Sequence, residues 1–274
     1  MYGRWLVAAL LGGFLLGGGG GVRSAASAPE WRDGLERPNP AFVVFQPPTS
    51  AGEVESSAGW LAGDPARSAY LVSYASPDRG FGAAALSYAL EREEAAALRT
   101  DRQTVRYTWG QQWTAKLAAG VGIRWEKQQT TAGWPLPAES GFGSDVGMVY
   151  RLDRQTWVGL AARDLGDTVL RSPGGTATIL PLSLNAAVGR QATPELRLTL
   201  EGRDLASRTA AGTTVQAGAE YRRGGTVYRL SGSAGASPAW SLGLSTALGR
   251  YRLAAGVNGA GERLGGMLGV TARW

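Results

Sequence analysis

The chain has 274 residues, 41 of them glycine, with no cysteine, no histidine, and 28 basic against 22 acidic side chains for a formal net charge of +6. Without histidine there is no Ser-His-Asp hydrolysis and no histidine metal site, and without cysteine there is no thiolate nucleophile, cysteine-held metal or lipidated N-terminal cysteine. Abundant glycine, 18% charged residues and the lack of long apolar runs favour many short strands over a helical core.

Arg4 precedes an apolar stretch from Trp5 to Leu16, a glycine run and the small-residue sequence Ser24-Ala25-Ala26-Ser27-Ala28. This is the pattern of a secretory signal, so residues 1–28 are expected to be a signal peptide, cleaved after Ala26 or Ala28. An uncleaved anchor is the competing reading, but the apolar stretch is short for a bilayer. Arg4 and Arg23 would leave with the signal, lowering the formal charge from +6 to +4. Residues 29–66 carry Pro38, Pro40, Pro47, Pro48 and Pro65 and are the least strand-like part. They are expected to hold the first strand, near Phe42 to Phe45, or to fold inward as a plug containing Asn39, Pro40 and Ala41. Residues 67–274 are then the barrel.

The clearest strand runs from Trp113 to Trp125. Trp113, Ala115, Leu117, Ala119, Val121, Ile123 and Trp125 share one face, and Thr114, Lys116, Ala118, Gly120, Gly122, Arg124 and Glu126 share the other. Its length at ~3.3 Å per residue and a ~45° tilt gives about 28 Å of height, near the thickness of a bilayer core. The chain ends in the same way, with Leu264, Gly266, Leu268, Val270, Ala272 and Trp274 alternating against Gly265, Met267, Gly269, Thr271 and Arg273. The terminal aromatic resembles the C-terminal signal read by the barrel assembly machinery of bacterial outer membranes. These patterns predict an all-β, transmembrane antiparallel barrel of about fourteen strands, with twelve as the alternative.

Joint lengths alternate. Short joints fall at Ser76 to Arg79, Gly110 to Gln112, Asp153 to Arg154, Arg190 to Thr193, Arg223 to Gly225 and Gly249 to Arg250. Mostly longer ones fall at Gln46 to Ala66, Glu91 to Arg102, Gln128 to Glu139, Gly166 to Ile179, Ala206 to Gly212, Ala234 to Ser237 and Gly259 to Gly261. Short periplasmic turns and long outer loops are expected of an outer-membrane barrel. Trp109, Trp113, Tyr150, Trp157, Tyr221, Tyr228, Tyr251 and Trp274 fall near the short-turn ends, and Tyr70, Tyr88, Trp125 and Trp240 near the other, as two interfacial girdles would. The registers of Phe81 to Leu90 and Trp157 to Asp164 are ambiguous, and a bulge or slipped strand is expected in the latter. Glu91 to Leu98 is rich in helix formers and reads as a short outer helix or a solvated loop.

The remaining polar residues point inward. Arg106, Arg124, Arg151, Arg163, Arg197, Arg203, Arg222, Arg229, Arg252 and Arg273 occur one or two per strand, with Glu126, Asp145, Glu201 and Glu220 beside them. Two readings stand: a pore lining biased toward anions, or ion pairs filling a closed barrel. A paired-carboxylate enzyme is the weaker reading, because each acid has arginine neighbours. The chain is expected not to be an enzyme. No phosphate loop, dinucleotide fingerprint or calcium loop occurs, so no cofactor and no metal is expected. The spread of arginines over many strands argues against nucleic acid as a partner.

Asn39-Pro40-Ala41, Gly141-Phe142-Gly143-Ser144-Asp145-Val146-Gly147 leading into Tyr150-Arg151, Gly159-Leu160-Ala161-Ala162-Arg163-Asp164-Leu165-Gly166, Leu180-Pro181 and Gly218-Ala219-Glu220-Tyr221 come in an order that resembles the fourteen-stranded family of FadL transporters and PorV-like proteins. The likeness covers about residue 39 to the end. The chain lacks the family's glycine-rich, methionine-containing lead-in to Asn-Pro-Ala, and has Phe42 where glycine normally follows. The resemblance implies a porin-like transport barrel for small or hydrophobic molecules. Its alternative is a closed barrel whose outer loops bind a partner, such as a secreted protein. Either would sit among the lipids of the bacterial outer membrane.

Overall fold

The computed structural model describes residues 53–62, 66–76, 82–95, 98–132, 134–175, 177–206, 208, 212–235 and 238–273. Their strands are β1 (Glu53–Leu61), β2 (Ala66–Ser76), β3 (Ala83–Ala95), β4 (Leu98–Gln112), β5 (Leu117–Ala132), β6 (Trp134–Pro135), β7 (Glu139–Arg151), β8 (Thr156–Arg163), β9 (Thr168–Arg171), β10 (Ala177–Leu180), β11 (Ser183–Gln191), β12 (Leu196–Arg203), β13 (Thr214–Arg223), β14 (Thr226–Ala234), β15 (Ala239–Leu248), β16 (Tyr251–Ala260) and β17 (Arg263–Arg273). Three are accessory: β6 is two residues long, and β9 and β10 form a short hairpin. The other fourteen pair antiparallel in sequence order, and β17 pairs back onto β1 from Leu61↔Gly265 to Glu53↔Arg273. The ring is closed and has no edge strand, which removes the unpaired backbone that a membrane would not tolerate.

Directly opposed residues of an antiparallel pair share a face. Gly120↔Gly147, Gly147↔Ala161 and Ala161↔Asn185 carry one face across β5, β7, β8 and β11, and the same bookkeeping closes at Gly269↔Ser57 without a slip. The outer face then holds Leu86, Tyr107, Val121, Ile123, Met148, Leu160, Leu200, Leu230, Leu242, Leu253 and Leu268, all exposed. The inner face holds glycine, alanine, serine, threonine and the charged residues. Large apolar groups stay outside because lipid, not a protein core, is their solvent.

The aromatic girdles follow the same register, with Trp109, Tyr150, Tyr221, Tyr228 and Tyr251 at the short-turn end and Tyr70, Tyr88, Trp125 and Trp240 toward the other, all outward. Trp157 departs from this expectation. It points into the barrel, where its ring covers Gly189 so closely that a methyl group there would lie 2.3 Å from the indole, and Arg197 stacks 5.5 Å from it. Thus β8 needs no bulge between Thr156 and Arg163, and pairs continuously with β11 while Val158 and Leu160 face outward.

Several joints fall elsewhere than expected. The first described strand, β1, lies inside the stretch read as the joint Gln46 to Ala66. Phe42 to Phe45, Asn39-Pro40-Ala41, the signal residues and Trp274 lie outside the described residues. Glu91 to Arg102 forms neither helix nor long loop, because β3 and β4 continue to Ala95 and Leu98, with Arg92 and Asp101 paired at 2.9 Å. Cross-strand ion pairing outweighs helix propensity here. β4 also runs through Gly110 to Gln112, so Trp113 begins the turn instead of β5 and is 65% exposed. That turn is built on Thr114, whose hydroxyl accepts from the backbone N–H groups of Lys116 and Leu117; Asp153 does the same for Gln155 and Thr156, and Thr193 for Glu195 and Leu196.

Candidate functional site

All the inward-read arginines and acids fall on the inner face. Arg106, Arg124, Glu126, Asp145, Arg151, Arg197, Glu201, Arg203, Glu220, Arg222, Arg229 and Arg252 do so by register, and Arg273 occupies an inner-face register position opposite Glu53. They form two groups at different heights.

The first group lies on β4, β5, β7 and the exit of β8. Glu126 Oε1 lies 2.9 Å from Arg102 Nε and its Oε2 3.2 Å from Arg124 Nε, both as ion pairs. Arg124 Nη1 is 3.6 Å from Asp145 Oδ1, Arg106 Nη2 is 3.7 Å from Asp145 Oδ2, and Arg124 Nη2 donates to Asp164. Asp145 Oδ1 also accepts from the backbone N–H of Asp164 at 3.2 Å. Arg124 is 2% exposed and Asp145 2%, so this is a buried network, in which each charge is retained only because a partner is in reach. Its paired members balance, three guanidiniums against three carboxylates.

The second group lies nearer the short turns. Glu220 accepts from Arg229 Nε at 2.8 Å and from Arg222 Nε at 2.6 Å, with Arg197 directly opposite in register. Here three arginines surround one acid, so positive charge is in excess. On the long-loop side Arg203 grips Glu201 at 2.8 and 3.2 Å, a bidentate pair. The inner face is therefore an ion-paired lining with an arginine-rich lower end, in place of an unbroken ring of free arginines. Its carboxylates are engaged by guanidiniums.

Asp164, Arg102 and Trp157 belong to this lining but were not singled out as inner-face residues from the sequence. Asp164 was hidden because strand alternation fails there: its φ of 56° breaks β8 and turns its carboxylate inward. The signal that could have found it is a repeat. Arg163-Asp164-Leu165 ends β8 and Arg203-Asp204-Leu205 ends β12; Asp204 also has positive φ, 48°, and its N–H donates to Asn185 as that of Asp164 does to Asp145. In both, the following leucine N–H returns to the neighbouring strand, Leu165 to Ser144 and Leu205 to Leu184. The two strand exits are one structural device used twice.

A 14-stranded ring at ~4.8 Å spacing and ~40° tilt has a backbone diameter of about 28 Å, wider than side chains from opposite walls can fill. The chain matches the CymD monoaromatic hydrocarbon channel with a TM-score of 0.67 at 13% identity, over 88% of this chain and 93% of that one. This chain has the FadL-type barrel fold. The toluene transporter TodX of Pseudomonas putida matches with a TM-score of 0.63 at 11% identity, covering 88% of this chain and 92% of TodX, and a Pseudomonas aeruginosa FadL homologue with 0.63 at 10%, covering 86% and 92%. No protein-family model and no curated protein sequence matches the chain. What this FadL-type barrel shares with those channels is strand number, closure and topology, not sequence.

Proposed function

We propose that this protein is a bacterial outer-membrane channel that admits small hydrophobic molecules, with monoaromatic hydrocarbons as the first substrates to test. The observation that carries the reading is a closed fourteen-strand ring too wide to be filled by its own wall, in the fold of CymD and TodX. The exposed apolar belt supports residence in a bilayer. The long connections β5–β7, β8–β11 and β12–β13 all leave the same end of the ring, which supports a periplasmic position for the opposite end, and the signal-like N-terminus supports export. The inner-face arginines and acids line the passage or brace it. The outer-membrane lipids and the barrel assembly machinery are its obligatory partners.

The test is uptake of labelled toluene by cells lacking their own hydrocarbon channels. Cells expressing the chain should take up toluene faster than cells carrying an empty vector, while uptake of a polar solute of similar size should rise less. Equal toluene uptake in the two strains would defeat the reading. A second reading, partner binding by the outer loops, is favoured by Trp134, 71% exposed, in the connection from β5 to β7. Under it, shortening Gln128 to Glu139 would abolish capture of a secreted protein and leave toluene uptake unchanged.

A further inference from the structure

The accessory hairpin β9–β10 does not continue the wall. β8 and β9 are separated by the Asp164–Asp167 turn, β10 and β11 by Pro181 and Leu182, and the β7–β9 ladder is reduced to the single pair Ser140↔Arg171. Gly141 and Gly143 both face inward on β7. A methyl group on Gly141 would lie 2.3 Å from the Val169 carbonyl oxygen, and one on Gly143 would lie 2.5 Å from Thr168 Oγ1. The Val169 carbonyl and the Thr168 side chain therefore lie against the inner side of β7, and β9 also approaches β5, on the far side of β7. Leu170 is completely buried beneath the arm.

The arm is tied down at both legs. On one, Asp164 is held by Arg124 and by Asp145, with bare Gly143 leaving the space through which Arg124 reaches it. On the other, Thr178 donates to Glu139, and the Leu182 N–H donates to Asp167 Oδ1 at 2.7 Å. Roughly across the ring, the end of β1 stays paired with both β17 and β2 but packs tightly on Gly265. A methyl group on Gly265 would lie 2.0 Å from the Trp60 carbonyl oxygen, and Leu61 is completely buried.

We propose that the β9–β10 arm is a constriction folded into the outer mouth of the lumen, seated on Gly141 and Gly143, and that it sets the size of solute admitted. This rests on the channel reading for what passes, but the presence of a constriction can be measured without it. The experiment is liposome swelling with the full-length protein and a series of neutral mono-, di- and trisaccharides, beside toluene uptake by cells.

Gly141→Val must push the Val169 carbonyl away and should raise the swelling rate for the di- and trisaccharides several-fold. Because the chain has no cysteine, Ser140→Cys with Arg171→Cys places one disulfide between directly opposed positions and leaves the Arg124 network untouched. In the Gly141→Val background, the oxidised pair should restore the parent's rates and a reducing agent should release them. The redox comparison within one folded sample keeps the test valid even if Gly141→Val assembles poorly. Failure of the disulfide to form, or the same sugar rates in all forms, would overturn the constriction. Toluene uptake by the parent with unchanged sieving would sink the arm alone, whereas altered sieving without any toluene uptake would sink the channel reading and leave the arm standing.

Discussion

Arg124 and Asp164 meet across a residue that has no side chain. Gly143 stands directly opposite Arg124, and a methyl group there would lie 3.0 Å from its Nη2. Removing the Asp164 carboxylate leaves a 2%-exposed guanidinium with one partner fewer, so Asp164→Ala should cost about 3 kcal/mol in urea unfolding from lipid vesicles, the scale for breaking a buried pair. Asp164→Asn should cost less than Asp164→Val, because asparagine tolerates the positive φ that a β-branched residue resists. Equal costs would show that backbone conformation is not what selects aspartate there. The wall itself is tested by a neighbouring pair. Val121 is outward and 48% exposed while Gly120 is inward, so arginine at Val121 should destabilise the assembled barrel by roughly 2 to 4 kcal/mol and arginine at Gly120 by less. The same unfolding assay decides it, and identical tolerance at both positions would contradict the register.

At the scale of elements, β3 and β4 are longer than a membrane requires. Fifteen residues of β4 rise roughly 35 Å at ~3.3 Å per residue and ~40° tilt, against an apolar band of about 25 Å. Their far ends are joined by Arg92–Asp101, with Arg99 adding a pair to Asp101 within β4; both are open to solvent and contribute about 0–1 kcal/mol each. Replacing residues 92–101 by a tight turn, which keeps Arg102 on Glu126, should therefore leave heat-modifiable migration on gels unchanged. Loss of the folded band would mean that the extension takes part in assembly. A turn at each end responds to pH, Asp153 at the short-turn end and Asp167 at the outer one. The Asp153 carboxyl is held below the usual carboxylate range by the N–H groups of Gln155 and Thr156, and Asp167 below it by the N–H of Leu182, with Arg208 adding to the effect. A depressed folded-state value means that the stabilisation is present above the unfolded value near pH ~4 and is lost as pH falls through the folded one. Asp153→Asn should lower stability near neutrality and flatten part of the profile below pH ~4, a comparison made by unfolding over a pH series.

For the whole molecule, closure depends on the last strand. β17 pairs with both β16 and β1, so a chain ending before Arg263 would expose two edges, each a template for aggregation. Such a chain should give no heat-modifiable band and accumulate as insoluble protein; a folded band would show that β16 can close on β1. Fold class and wall composition were determined by the sequence alone, because a two-residue period writes the lipid face and the inner face directly into the order of residues such as Leu117 to Glu126. The inward arginines and acids were legible for the same reason. What only the tertiary structure decided were the departures from that period. Asp164 enters the network through a left-handed backbone turn, Trp157 faces inward over Gly189, and Gly141 and Gly143 serve as a seat for β9 instead of leaving open space. None of these follows from alternation, since each depends on which backbone lies across the strand, and that is settled only when strands distant in the chain are brought together.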